Sequence, residues 1–134
     1  MIASCNHKPE DSTPMNSSEL DTSFELDLRY DIEEFRKCFF ITCMQFGYEG
    51  DACMDSIINE DVSQHSDFPL GFAGYRAVDS LAREVQKEIV ADSIMLMTRR
   101  DYEMGKKRVF QICLKHFTST KIDSVARAVL SKYR

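Results

Sequence analysis

A helical pattern of apolar residues from Tyr75 to Met97 constrains the fold of this chain more than any other feature. The apolar residues recur three or four positions apart and share one arc of a 3.6-residue wheel: Val78, Leu81, Ala82, Val85, Ile89 and Leu96. Beyond Ile89 the segment is apolar nearly all round. Such a helix is expected to pass from the surface into the core. We therefore predict a long central helix on which the other elements pack.

Length and composition indicate one globular domain. The chain has 134 residues, of which 43% are hydrophobic and 29% charged, values typical of a soluble protein. No apolar run approaches the roughly 18 residues that a membrane span needs. The first residues contain no apolar segment of the kind found in secretory signals. We expect an intracellular protein, cytoplasmic or nuclear, that is neither secreted nor membrane-bound.

The cysteines favour the same compartment. They are odd in number and scattered, at Cys5, Cys38, Cys43, Cys53 and Cys113. Inside a cell such cysteines are expected to be reduced thiols that pack as small apolar side chains. Their spacing matches no zinc-binding pattern. The sequence therefore predicts neither a metal nor a cofactor.

The N-terminal half of the chain divides into a tail and two helices. Residues 1–23 are rich in small polar residues and are predicted to be a disordered tail, and residues 24–30 a short extended segment. Asp31 and Glu34 form a capping-box pattern that predicts a helix from Asp31 to Gly47. Its apolar stripe widens at Phe40, Ile41 and Met44, which predicts that the C-terminal half of this helix is enclosed on two sides. A shorter helix is predicted over 51–59, with its apolar residues inward.

The C-terminal half is predicted to be helical as well. The loop 61–74 is expected to fold Phe68, Leu70 and Phe72 back over the core. After the central helix, Thr98 with Asp101 predicts a helix over 98–117, and Thr120 with Asp123 predicts a last helix. No pair of strands joined by a hairpin turn is recognisable. The fold class is thus all-α, a single compact bundle of about five helices spanning residues 24–134.

Charge is distributed unevenly along the chain. Residues 1–67 contain four basic and fifteen acidic side chains, a net charge of −11, whereas residues 68–134 carry +6. The opposite charges of the two halves are explained either by mutual attraction within one domain or by an acidic partner of the basic half. We favour the attraction within the domain.

The predicted 98–117 helix carries the main candidate site. A wheel places basic residues on the face opposite its apolar arc, and the candidate partner-binding residues are Arg99, Arg100, Lys107, Arg108 and Lys115. Three interpretations are open: a self-neutralised or solvated face, a surface for an acidic protein segment, or a surface for nucleic-acid phosphates. Nucleic acid ranks last, because such binders are usually basic overall and no aromatic residues alternate with these charges.

Asp92 lies inside the apolar arc of the central helix. A carboxylate at such a position must be paired, hydrogen-bonded or raised in pKa. Either an arginine from a later helix pairs with it, or the helix breaks there and Asp92 caps a new one. The sequence leaves both interpretations open.

No catalytic apparatus is recognisable. Cys113 and His116 are three residues apart on one predicted helix, but two further metal ligands are missing, so a packed cysteine beside a helix-end histidine is favoured. His65 with a thiol matches no nucleophile motif. Phosphate-binding loops and hydrolase motifs are absent from the sequence. We therefore expect no enzyme.

These observations favour a protein–protein interaction domain with an adaptor or regulatory role. An apolar groove or a basic face between helices is expected to receive an amphipathic or acidic segment of another protein, or of a second copy in a homodimer. Seven methionines would suit an adaptable apolar surface, although methionine more often fills a core. The alternative is a nucleic-acid-binding helical module.

Overall fold

The computed structural model describes residues 17–61, 70–99 and 106–132. These residues contain no strand and form five helices: α1 (Ser17–Gly47), α2 (Ala52–Glu60), α3 (Gly71–Met97), α4 (Val109–Phe117) and α5 (Thr120–Ser131). The predicted all-α bundle is confirmed. The predicted central helix corresponds to α3, which begins four residues earlier than Tyr75.

Two long helices, rather than one, organise the bundle. α1 has 31 residues and contacts each of the other four helices, and its most extensive interface is with α3. The side chain of Gln86 on α3 donates a hydrogen bond to the carbonyl of Phe46 at 2.9 Å, near the end of α1. α4 runs antiparallel to α1, because Cys113 lies beside Cys43 and Phe117 lies beside Phe40.

The core lies where α1, α3, α4 and α5 meet. Fully buried side chains in this core include Phe35, Phe39, Val78, Ile89, Val109 and Ile122. α3 supplies the predicted one-sided stripe: every member named from the sequence, from Val78 to Leu96, is buried. The periodic pattern therefore identified the packed face of α3 correctly.

The predicted start of the first helix at Asp31 is wrong. α1 begins at Ser17, so the predicted extended segment 24–30 is helical, as are residues 17–23, which the sequence analysis assigned to the tail. Asp31 and Glu34 are buried inside the helix and do not cap it. Leu28 and Ile32 extend the buried stripe back through the apparent cap. The predicted tail, as far as residue 16, lies outside the described residues.

The end of α3 does not enter the core as predicted. Ile94 is 59% exposed, and Met95 and Met97 are also exposed, while Leu96 is buried. The reason is that α1 ends at Gly47, beside Ile89. The last two turns of α3 therefore extend past α1 and are covered on one side alone.

The short helix and the loop after it also differ from expectation. Asp51 caps α2 by accepting hydrogen bonds from the amides of Cys53 and Met54 at 3.0 and 3.1 Å. None of the α2 side chains is buried, so the expected inward packing is wrong. Leu70 is buried in the core as expected, whereas Phe72 is exposed on the first turn of α3. Residues 62–69 lie outside the described residues.

The expectation of reduced thiols is wrong for one pair of cysteines. Cys43 of α1 and Cys113 of α4 form a disulfide, with Cα atoms 5.9 Å apart, in the middle of the α1–α4 interface. Both are fully buried. Cys38 and Cys53 carry free thiols. The pairing depends on how two helices cross, which spacing along the chain does not report.

Among the described residues, none of the helices is sufficiently long and apolar to cross a membrane.

Candidate partner-binding groove

The basic residues singled out in the sequence do not share one helical face. Residues 106–108 are not helical, and α4 begins at Val109, so the predicted 98–117 helix is wrong at its start. Thr98 closes α3 by donating its hydroxyl to the carbonyl of Met95 at 2.6 Å. Arg99 is exposed just beyond that end, and Arg100 lies outside the described residues.

Three of the five basic residues are held in ion pairs within the chain. Lys107 binds Glu49 at 3.2 Å. Arg108 binds Asp92. The third pair is formed by Lys115, whose ammonium lies 2.5 Å from a carboxylate oxygen of Glu88. Attraction within the domain thus neutralises much of this positive charge, as one interpretation of the sequence anticipated.

Asp92 is paired with an arginine and does not cap a new helix. α3 is continuous through it, and its side chain is 13% exposed. Both carboxylate oxygens accept hydrogen bonds from the Arg108 guanidinium, one of them at 3.0 Å from Nε. The hydrogen bonds from Arg108 outweigh burial and lower the pKa of Asp92. The pair holds the segment before α4 in place.

His116 is hydrogen-bonded to a carboxylate of α3. Its Nε2 lies 2.6 Å from Glu88, which Lys115 also binds. These contacts, that of Lys115 foremost, lower the pKa of Glu88. Within residues 17–61, 70–99 and 106–132, histidine, cysteine and carboxylate side chains do not gather into a group of three that could hold a metal ion. His65 lies outside these ranges.

An open groove lies between α2 and α4, with α1 as its floor. Its volume is about 700 Å³. Most of the lining is apolar: Phe40, Ile41 and Met44 from α1, Met54, Ile57 and Ile58 from α2, and Leu114 and Phe117 from α4. Lys37 and Asp61 are the charged residues of the lining. We call this surface the α2–α4 groove.

The floor of the α2–α4 groove is fixed by aromatic packing. The Phe40 ring makes edge-to-face contacts with Phe110 and Phe117 of α4, with ring centroids 5.9 and 5.7 Å apart. The disulfide joins α1 and α4 directly beneath, between neighbours of the lining residues Met44 and Leu114. The α1–α4 side of the groove is therefore preformed and rigid.

The α2 wall is held more loosely. α2 has no buried side chain and touches α1 over a short length. Ile57 on this wall is 63% exposed, and Leu114 on the opposite wall is 42% exposed. Contiguous exposed apolar surface that lines a groove is a feature of sites for protein partners.

Sequence reasoning identified parts of this groove without placing them together. Phe40, Ile41 and Met44 were recognised as widening the apolar stripe of the first helix, which predicted a second covering element. α2 covers them incompletely, and the uncovered surface is the groove. The width of that apolar stripe was the sequence signal for the groove, but the sequence did not show where α2 lies.

No protein-family model, curated protein or solved structure matches this chain.

Proposed function

We propose that this chain is a protein–protein interaction domain with an adaptor or regulatory role, and that its α2–α4 groove binds one amphipathic helix of a partner. The observation that carries the proposal is the open groove itself, with exposed Ile57 and Leu114 on facing walls. Helix-in-groove recognition uses apolar anchors on one face of the guest helix. Burial of those anchors supplies the driving force.

The dimensions suit a short helix. The floor from Lys37 to Met44 covers eight residues of α1, a rise of about 10 Å at 1.5 Å per residue. That length accommodates two turns of a guest helix, with anchors spaced i, i+4 and i+7. Met44 lies on the floor and Met54 on the α2 wall, and their flexible side chains can adjust to anchors of different shape.

The basic-face alternatives receive no specific support. Lys107, Arg108 and Lys115 are bound to acidic residues of the same chain, so engaging phosphates would require breaking those pairs. We therefore place the partner-binding role in the groove rather than on these side chains, and we propose no nucleic-acid-binding function. We propose no enzyme activity.

A displayed library of 18-residue helical peptides tests the proposal. The peptides carry randomised apolar residues at i, i+4 and i+7 and uncharged polar residues elsewhere. We expect enriched peptides to bind the wild-type chain and to lose at least about tenfold in affinity against Ile57→Glu, because a carboxylate in the wall must be desolvated when the guest binds.

The matched control is Ile94→Glu. Ile94 is about as exposed as Ile57 but lies on the outer face of α3. Peptides that bind this variant as tightly as the wild type locate the interaction in the groove. Absence of enrichment, or equal losses in both variants, would refute the proposed function. Peptides that match a segment of this chain would identify the guest as a second copy.

A further inference from the structure

The charges around the α2–α4 groove point to the chemistry of its guest. We infer that the guest is a basic amphipathic helix of a partner protein, with lysine or arginine flanking its apolar face. This inference rests on the proposed function of the groove. It differs from the expectation of an acidic segment, which came from the basic residues now found in ion pairs.

The α2 side of the groove is acidic. Residues 49–61 contain five acidic side chains and no basic one. Two of them are engaged within the chain: Glu49 binds Lys107, and Asp51 caps α2. Asp55 and Glu60 form no salt bridge with any of the described residues. They lie on the two flanks of the apolar face of α2, on a 3.6-residue wheel.

The other sides of the groove do not balance this charge. The groove-facing part of α4 presents Leu114 and Phe117, and Lys115 is turned away toward Glu88 on α3. Lys37, in the lining of the groove, has its ammonium 2.6 Å from the Glu34 carboxylate, which raises the pKa of Lys37. The free charge that a bound helix meets is therefore negative.

This arrangement selects the sign of the guest's charge. A lysine or arginine beside the apolar anchors can keep its aliphatic stem on the groove wall and extend its cation to the α2 carboxylates. Acidic residues in the same positions would face Asp55 and Glu60 and be repelled. Such surface complementarity changes association rates and discrimination between partners, and it weakens as salt screens it.

Three synthetic peptides test the inference. They share the apolar anchors selected with uncharged flanks and differ in carrying lysine, glutamine or glutamate at four flanking positions. Their affinities are measured by fluorescence anisotropy at low and high salt. We expect the lysine peptide to bind about tenfold more tightly than the glutamate peptide at low salt, with the difference shrinking as salt is raised.

Charge reversal on α2 supplies the second arm. Asp55→Lys with Glu60→Lys is expected to reverse the preference, and Asp55→Asn with Glu60→Gln to abolish it. The control, Asp21→Lys with Asp27→Lys, changes the net charge equally on exposed residues at the start of α1 and should keep the wild-type preference. Circular dichroism verifies the helix content of each variant.

The outcomes separate the two proposals. Equal binding of the three peptides, preference for the glutamate peptide, or an equal effect of the α1 control would overturn the basic-guest inference and leave the groove function standing. Binding of none of the peptides, the uncharged one included, would refute the groove function itself.

Discussion

Arg108 reaches from the segment before α4 to Asp92 on α3 and donates hydrogen bonds to both of its carboxylate oxygens. Because Asp92 is largely buried, Asp92→Asn replaces a charged carboxylate that accepts two hydrogen bonds from Arg108 with a single neutral amide oxygen. We expect Asp92→Asn to lower the free energy of unfolding by about 2 kcal/mol. Urea denaturation at neutral pH measures this. Asp79→Asn, on an exposed position of the same helix, serves as the control and should stay within about 0.5 kcal/mol of wild type.

The same pair predicts an acid dependence of stability. Arg108 holds the pKa of Asp92 below its ordinary value, so the native state binds this proton less readily than the unfolded chain. The stabilisation is fully present above about pH 4 and is lost as the pH falls through the lower, native pKa. The difference in stability between wild type and Asp92→Asn should therefore shrink below pH 4. A constant difference down to pH 2 would contradict this assignment.

What the sequence predicted well was periodic, and what it missed depended on tertiary contacts. The stripe from Val78 to Leu96 is regular over five turns, and α3 follows it. The capping-box pattern at Asp31 and Glu34 gave a wrong helix start, because an aspartate followed three residues later by a glutamate also occurs inside helices. Leu28 and Ile32 continue the buried apolar stripe at helical spacing, and α1 extends through them.

The candidate site shows the same limit. A helical wheel drawn over 98–117 placed Lys107 and Arg108 on one face with Lys115. The backbone at Arg108 is not helical, with φ −96° and ψ 50°. Arg108 is anchored to α3, and Lys107 is anchored to Glu49 in the turn between α1 and α2. Long-range ion pairs compete with local helix propensity, and a wheel contains no information about them. Predicting the groove would likewise have required knowing where α2 lies.

The basic residues are not expected to act as a nucleic-acid surface. Because Lys107, Arg108 and Lys115 are already paired with carboxylates, contact with phosphates gains little net free energy. We expect generic duplex DNA and RNA to show no saturable binding at low micromolar protein and low salt, measured by fluorescence anisotropy. Binding that weakens steeply as salt rises, and that is lost in Lys107→Glu with Lys115→Glu, would contradict this prediction.

The Cys43–Cys113 disulfide is expected to contribute strongly to stability. It closes a loop with a sequence separation of 70. In the chain-entropy description, a bridge of that length stabilises the fold by about 4 kcal/mol. We expect Cys43→Ser with Cys113→Ser, or a reductant, to lower the denaturation midpoint accordingly, whereas Cys38→Ser should leave the effect of reductant unchanged.

Alkylation of the unreduced, denatured chain should spare Cys43 and Cys113, and their modification would contradict the bridge.

At Gly47, tertiary packing and helix propensity predict opposite effects of an alanine substitution on stability. It is the last residue of α1, and in an exposed helix alanine would stabilise that position. A Cβ at Gly47, however, would collide with a methyl group of Val109 and lie 3.1 Å from Cδ1 of Ile89. Overpacking of this kind costs about 1–3 kcal/mol, so we expect Gly47→Ala to destabilise the protein in thermal denaturation.

A second substitution locates the cause. If the collision with Val109 is responsible, Gly47→Ala combined with Val109→Ala should cost less than the sum of the two single substitutions, because the smaller side chain makes room for the new methyl group. Additive effects, or a stabilising Gly47→Ala, would show that α1 and α4 do not approach each other closely at this residue. The floor and the α4 wall of the groove depend on that approach.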